Sequence, residues 1–339
     1  AARWDRLTAD EKEKTAEQAR QIEEHATDPT PPGIAATLPR LDLADLPEKP
    51  RRIPSTTSED ENGITFIRND LFTNGVNYVK IDVDIRDLPA ELWPMLPFYQ
   101  QCVHKMGTAT YGYAEMAQRK AQSTGGIHCR PFIGTGVTTP EKPVWSLVFT
   151  LKALDEQFEE ALEVLTDIFL RADPRDNVRL QHVLRQQQAA LRSKFLQRGP
   201  DTALSHAARH VSREGYLHDL VGGCAHYSRV GNSLRHYADA YEPIARAVEQ
   251  LRDFLHASNR LTVSFTGSDA AAAKLRETLR SWSAGLRRDT VADSSVDFLS
   301  LEQPCFEGLT ASVSTAHCGC ALPAPHISHP DAPLLELGT

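Results

Sequence analysis

The pattern in this chain that most invites chemistry is His206-Ala207-Ala208-Arg209-His210. Histidines at i and i+4 share one face of a helix, the placement zinc peptidases use to hold a metal. Hydrolysis through an H-x-x-E-H motif also needs a carboxylate at the fourth position, where this chain carries Arg209. A guanidinium accepts no proton at neutral pH, and its charge repels a cation. Two partly exposed helix histidines are therefore expected, without catalytic zinc. A second cluster is Cys318-Gly319-Cys320 with His317, His326 and His329, ligand types that suit zinc or copper. Its C-x-C spacing is tighter than the usual structural-zinc pair and no second pair follows, so a flexible tail with free thiols is expected.

Asp82, Asp84 and Asp87 form a third group. On a strand, 82 and 84 point to one face and could bring two carboxylates together. Their neighbours Ile81, Val83 and Ile85 would face a core, which makes the acids the solvent side of an amphipathic strand. Gly134-Thr135-Gly136 is only a fragment of a phosphate loop, and neither G-x-x-x-x-G-K-[ST] nor G-x-S-x-G occurs. From its own residues the sequence assigns no catalytic, cofactor-binding or metal position. A metal-binding module on His206/His210 or on Cys318/Cys320 stands as a minor rival.

The elements that would position these groups are legible in outline. Thr8 is a good N-cap for a helix over 8–26 with a narrow apolar stripe, an arm that packs on something else. Prolines from Pro29 to Pro54 forbid helix and predict an extended connector, docked through Leu38, Leu41, Leu43 and Leu46. Residues 76–85 alternate polar and apolar, the period of a half-buried strand. Helices are expected near 90–106 and 111–122, then antiparallel strands near 127–137 and 144–151. Further helices fall near 155–171, 175–197, 200–214, 241–256 and 269–284, with a strand at Leu261–Thr266 closed by Gly267.

Helices in runs and hairpin-linked strands predict an α+β fold, a mostly antiparallel sheet with helices packed on one side. The expected organisation is an arm and connector at 1–55, an α+β domain at 56–286, and a polar linker at 287–303. Residues 304–339, with a strand near Leu309–Thr315, are too few for a core of their own and read as the start of a further domain. The 37 Lys plus Arg against 45 Asp plus Glu give a net charge of -8, which argues against nucleic acid as partner. No run reaches the roughly 18 apolar residues of a membrane span. The six cysteines are mostly far apart, and reduced thiols are expected.

One stretch resembles a known family. Leu88-Pro89-Ala90-Glu91-Leu92, Leu96-Pro97-Phe98, Met106-Gly107-Thr108, Tyr113-Ala114-Glu115-Met116 and Thr124-Gly125-Gly126 follow one another in order. With Thr73-Asn74-Gly75-Val76-Asn77-Tyr78 before them, they resemble the third domain of insulinase-like (pitrilysin) zinc metallopeptidases, in the presequence-protease and falcilysin branch. The Leu38-Pro39-x-Leu41-x-Leu43-x-Asp45-Leu46 pattern resembles the connector between the two halves of such enzymes. The match runs from about residue 5 to 315.

The resemblance implies two similar halves closing around an unfolded peptide, with zinc on an H-x-x-E-H helix of the first half. Here that position falls on Phe98-Tyr99-Gln100-Gln101-Cys102, which lacks both histidines and the glutamate. The family's "R-V-S-G-G-A-Y"-like segment would lie beyond Thr339. The resemblance thus implies a non-catalytic piece of a zinc endopeptidase, forming scaffold and chamber wall. Zinc would be bound by the N-terminal catalytic half, which is the expected partner together with unfolded peptides. No nucleic acid or membrane partner is expected, and the compartment would be a mitochondrial matrix, a plastid-type organelle or another intracellular space. The acidic surface would attract Arg-rich targeting peptides. The alternative is a non-catalytic structural subunit of the same superfamily.

Overall fold

The computed structural model describes residues 7–27, 32–35, 37–39, 42–49, 52–60, 62–292, 296 and 305–338. The chain divides into two compact units, Ala1–Arg52 and Ile53–Thr339. In the first, α1 (Ala9–Thr27) starts where Thr8 and Glu11 cap each other: Glu11 N donates to Thr8 Oγ1, and Thr8 N donates to Glu11 Oε2. A short helix α2 (Pro32–Ala35) and a 3-10 turn at Leu43–Asp45 follow, where an extended connector without helix was expected; proline at the first helical position starts a turn because its missing N–H needs no partner there. Leu38, Leu43 and Leu46, expected to be docked, are exposed. A unit this small has too little surface to bury them. Leu41 lies outside the described residues.

The second unit is built on one sheet of β1 (Ser55–Glu59), β2 (Thr65–Asn69), β3 (Val76–Asp84), β4 (Ile127–Thr135), β5 (Pro143–Leu154) and β6 (Leu261–Thr266). Their order is β1-β2-β6-β3-β5-β4, and only β2 with β6 is parallel. β3 is central: Ile81 pairs with Phe149 on one side and Val263 on the other. Alternation then turns Val79, Ile81, Val83, Leu147, Phe149, Leu151, Val263 and Phe265 to one face, where all are buried. The other face carries Tyr78, Lys80, Asp82, Asp84, His128, Arg130, Thr150, Lys152 and Ser264, exposed or half-exposed.

Helices cover the apolar face: α3 (Leu96–Lys105), α4 (Tyr113–Ser123), α5 (Phe158–Arg171), α6 (Asn177–Gln197), α7 (Gly199–Ala208), α8 (Arg213–Gly222), α9 (Cys224–Arg235), α10 (Tyr237–Leu255) and α11 (Asp269–Ser283). A last helix, α12, spans Ala332–Gly338. Aromatic rings lock α5 and α11 onto the sheet. Phe169 stacks on Trp282 at 4.8 Å and meets Phe149 edge-on at 5.2 Å. The fold is thus α+β, with a mixed and mostly antiparallel sheet.

Several joints explain where elements stop. Asn74 (φ 50°) and Gly75 (φ 78°) make the left-handed turn that launches β3. At the end of β6 a Cβ on Gly267 would meet Asn77 Oδ1 at 2.1 Å, so only glycine allows this approach. Asn77 in turn donates to Asp155 Oδ1 (2.7 Å) and accepts from Ser268 N, the N-cap of α11. One buried amide thereby ties β3, the end of β5 and α11.

In the second unit the structure departs from the sequence expectations in three places. The helix expected over 200–214 ends at Ala208, and Ser212 caps a new helix by accepting from Gly215 N. Helices α8 and α9 and strands β1 and β2 were not anticipated. Of the linker expected at 287–303, residues 293–295 and 297–303 lie outside the described residues. Residues 309–315 form no strand, because no described strand runs beside them to accept their backbone hydrogen bonds.

Candidate functional site

The three aspartates singled out from the sequence are not brought together as a catalytic group. Each has its own cation: Lys80 Nζ lies 3.0 Å from Asp82, Arg86 grips Asp84 through Nε and Nη2, and Arg260 holds Asp87 bidentately at 2.5 and 2.9 Å. Burial resists ionisation of Asp87, but the Arg260 hydrogen bonds outweigh it and hold the carboxyl below its usual range. Gly134-Thr135-Gly136 closes β4 and precedes no helix, so it offers no phosphate cradle; Thr135 Oγ1 instead meets His326 Nε2 at 3.0 Å.

The helix face at 98–102 is core. Phe98 and Cys102 on α3 are fully buried, and the Phe98 ring meets the His226 ring edge-on at 5.7 Å. Phe98 offers no donor to a metal. Burial, with a smaller push from Asp173, raises the Cys102 thiol to about 12, so it stays protonated and is a poor ligand. The residues at this place do not fit the zinc that the resemblance implies for the first half. The same helix shields the outer edge of the sheet, where Gln100 Nε2 donates to Cys129 O and Cys129 N donates to His104 Nε2.

His206 and His210 stand differently. Because α7 ends at Ala208, His210 sits in the turn beyond it, yet both imidazoles still converge. Their Nε2 atoms lie 3.6 and 3.1 Å from the same oxygen, Glu307 Oε2. On the other side His206 Nδ1 is 3.4 Å from Asp219 Oδ1, a buried carboxylate on α8 that also accepts from Cys224 N at 2.8 Å. Arg209 spans the group, with Nη2 2.5 Å from Glu307 Oε1, Nη1 3.5 Å from Asp219 Oδ2, and Nε donating to His210 Nε2 at 3.0 Å. Partial burial works against the Glu307 charge, but His210, Arg209 and His206 prevail and keep its carboxyl below the usual range.

Among the described residues, donor atoms from His206, Asp219 and Cys224 gather within 4.8 Å of one another, as do those of His210, Cys305 and Glu307. His317, Cys318, Cys320, His326 and His329 join neither set. Cys318 and Cys320 are exposed; His317 lies against Gly199 at the start of α7. Sequence reasoning found the two histidines and missed Asp219, Cys224, Cys305 and Glu307. These lie 9 to 101 residues from the histidines, and no spacing rule links them.

The open sheet face is the other candidate surface. Tyr78, Lys80, His128, Thr150, Lys152, Ser264 and Thr266 line a shallow hollow of about 270 Å³, with Lys152 Nζ 5.8 Å from the Tyr78 ring centre. Its charges nearly balance, with Lys80, Arg130 and Lys152 against Glu59, Asp82 and Asp84. The acidic surplus of the chain therefore does not lie here. No described helix is long and apolar enough to cross a membrane.

Comparison with known proteins places this architecture. The family described as peptidase M-16C associated matches residues 1–232. Presequence protease 1, chloroplastic/mitochondrial, from Arabidopsis thaliana is 24% identical over 270 residues, covering 79% of this chain and 25% of that protein. The mitochondrial presequence protease of Emericella nidulans is 25% identical over 310 residues, covering 88% of this chain and 29% of that protein. Protein HypA of Clostridium perfringens is 22% identical over 264 residues, covering 78% and 27%. The chain spans about a quarter of the length of the curated relatives it matches.

Proposed function

This chain belongs to that peptidase-associated family, a fragment of the insulinase-like presequence-protease kind, and from that premise we propose that it is the non-catalytic wall and scaffold of a zinc endopeptidase. The parent enzyme degrades unfolded, targeting-type peptides inside a closed chamber. Its zinc is held by an N-terminal catalytic half, and it works in a mitochondrion or plastid, a location supported by the chloroplastic and mitochondrial presequence proteases among its relatives. In this reading residues 1–55 are arm and connector, residues 56–286 a complete domain, 287–303 a linker, and 304–339 the start of a further domain.

The observation that carries the reading is the sheet with one face buried under helices and one face left open. Open hydroxyls, three cations and three carboxylates offer an extended peptide hydrogen bonds and mixed charge along its length. The near-balance of charge on this face shifts the expectation drawn from composition. General attraction of basic peptides would come from the rest of the surface.

The test is complementation. This chain is mixed with the catalytic half of the parent, and cleavage of a quenched fluorescent peptide is followed with and without chelator. The mixture should cleave, the chelator should abolish it, and either part alone should be inactive. A catalytic half as active alone as in the mixture overturns the reading.

A further inference from the structure

We propose that His206, His210, Glu307 and Cys305 form a zinc site that pins the Cys305–Glu307 segment to the end of α7. Four first-row metal bonds of about 2.0–2.3 Å in a tetrahedron leave the ligand atoms about 3.3–3.8 Å apart. The two imidazole Nε2 atoms stand 3.6 and 3.1 Å from Glu307 Oε2, close to those edges. Cys305 Sγ lies within 4.8 Å of the His210 and Glu307 donors; His206 gathers with Asp219 and Cys224 and reaches this trio through Glu307 Oε2, so its ring must close in on the metal as the fourth ligand. Two nitrogens, one oxygen and one sulfur make a borderline-soft set, suited to zinc and unsuited to magnesium or calcium.

The surroundings are those of a metal histidine. Asp219 Oδ1 lies against His206 Nδ1, and a carboxylate there accepts the Nδ1–H hydrogen bond, fixing the tautomer that leaves Nε2 free as ligand. Arg209 holds Glu307 by Oε1, which leaves Oε2 turned towards the histidines. Arg209 Nε, which donates to His210 Nε2, must let go when the metal arrives. Asp219 Oδ2, 3.5 Å from Arg209 Nη1, keeps the guanidinium in place when it does. The guanidinium is thus the cation that fills the cluster when the metal is out. Four protein ligands leave no open position, and the neighbouring carboxylate, Asp219, is engaged by His206, Arg209 and Cys224 N, so the role is structural. The site is independent of the peptidase reading, since it takes no part in hydrolysis.

The test uses the whole 339-residue chain. Titration with zinc against a chromophoric chelator should give one tight equivalent. Cobalt(II) in its place should show tetrahedral d–d absorption and a thiolate charge-transfer band. Cys305→Ser should remove that band, and His210→Ala should weaken binding by at least about a hundredfold, the upper end of losses caused by outer-sphere partners. Arg209→Ala should tighten it. Cys318→Ser with Cys320→Ser should change nothing. Zinc should also slow proteolytic cleavage next to Cys305 in the wild-type chain and not in the Cys305→Ser variant. Cys305 is exposed, so its variant folds and decides the question should His210→Ala fail to fold. Absence of stoichiometric binding, or binding that follows Cys318 and Cys320, overturns the proposal.

Discussion

Two pairs of residues at helical i, i+4 spacing lie in this molecule, and they have opposite fates. Phe98 and Cys102 occupy a helix inside the core; His206 and His210 sit at a helix end among carboxylates. The first pair stands where the family resemblance would place a metal motif and has no usable donors. The second has donors and an arginine where a general base would stand. Spacing decides only which side chains share a face. Burial and the partners brought by distant segments decide what those side chains can do.

The difference can be broken most severely at Phe98. Phe98→Ala removes a fully buried ring between α3 and His226, and should cost about 3–5 kcal/mol in urea unfolding. A loss under about 1 kcal/mol would mean that α3 is not core.

The next effect concerns His226, the buried imidazole against Phe98. Gln187 Nε2 lies 2.9 Å from its Nε2, and desolvation, aided by Arg229 and Lys194, lowers its pKa to about 4. The unfolded chain takes up this proton first, near pH 6.5. Stability is therefore complete above pH 6.5 and falls as the pH drops towards 4, by about 3 kcal/mol from this group. His226→Leu should flatten that part of the pH–stability curve. His104 and His256, also lowered chiefly by burial, leave a smaller acid slope behind. An unchanged curve would show that His226 is not buried neutral.

The smallest effect is expected at the other pair. Without metal, His210→Ala should alter stability by no more than about 0.5 kcal/mol, since the side chain is part-exposed and its ion pair is shared with Arg209. With zinc bound the same change should become clearly destabilising. If it already costs several kcal/mol in chelator, the cluster is a structural ion-pair hub rather than a place for metal.

Local signals made much of this fold legible. The alternation of residues 76–84 gave β3 and its buried face, and Leu261–Thr266 was found residue for residue. Thr8 marked the start of α1. Strand β1 escaped because Ser55-Thr56-Thr57-Ser58-Glu59 has no apolar alternation, being exposed throughout. Helices α8 and α9 escaped because glycines at 222 and 223 and a weak apolar stripe break the helical period. The parallel pairing of β2 with β6 joins residues about 200 apart, which no local pattern encodes. The histidine site was half legible: the pair follows from spacing, whereas Asp219, Cys305 and Glu307 arrive through tertiary structure alone.

The place of β6 has a consequence for how the molecule is made. It lies between β2 and β3, so until Thr266 has been synthesised those two strands have no neighbour on that side. The β1–β2 hairpin emerges early and must wait beside an unfilled slot while nearly 200 further residues are translated. Long-range closure of this kind is slow and leaves strand edges available to other chains. The growing polypeptide therefore depends on something to shield that slot, and any truncation before Leu261 yields two half-sheets rather than a shorter version of the domain.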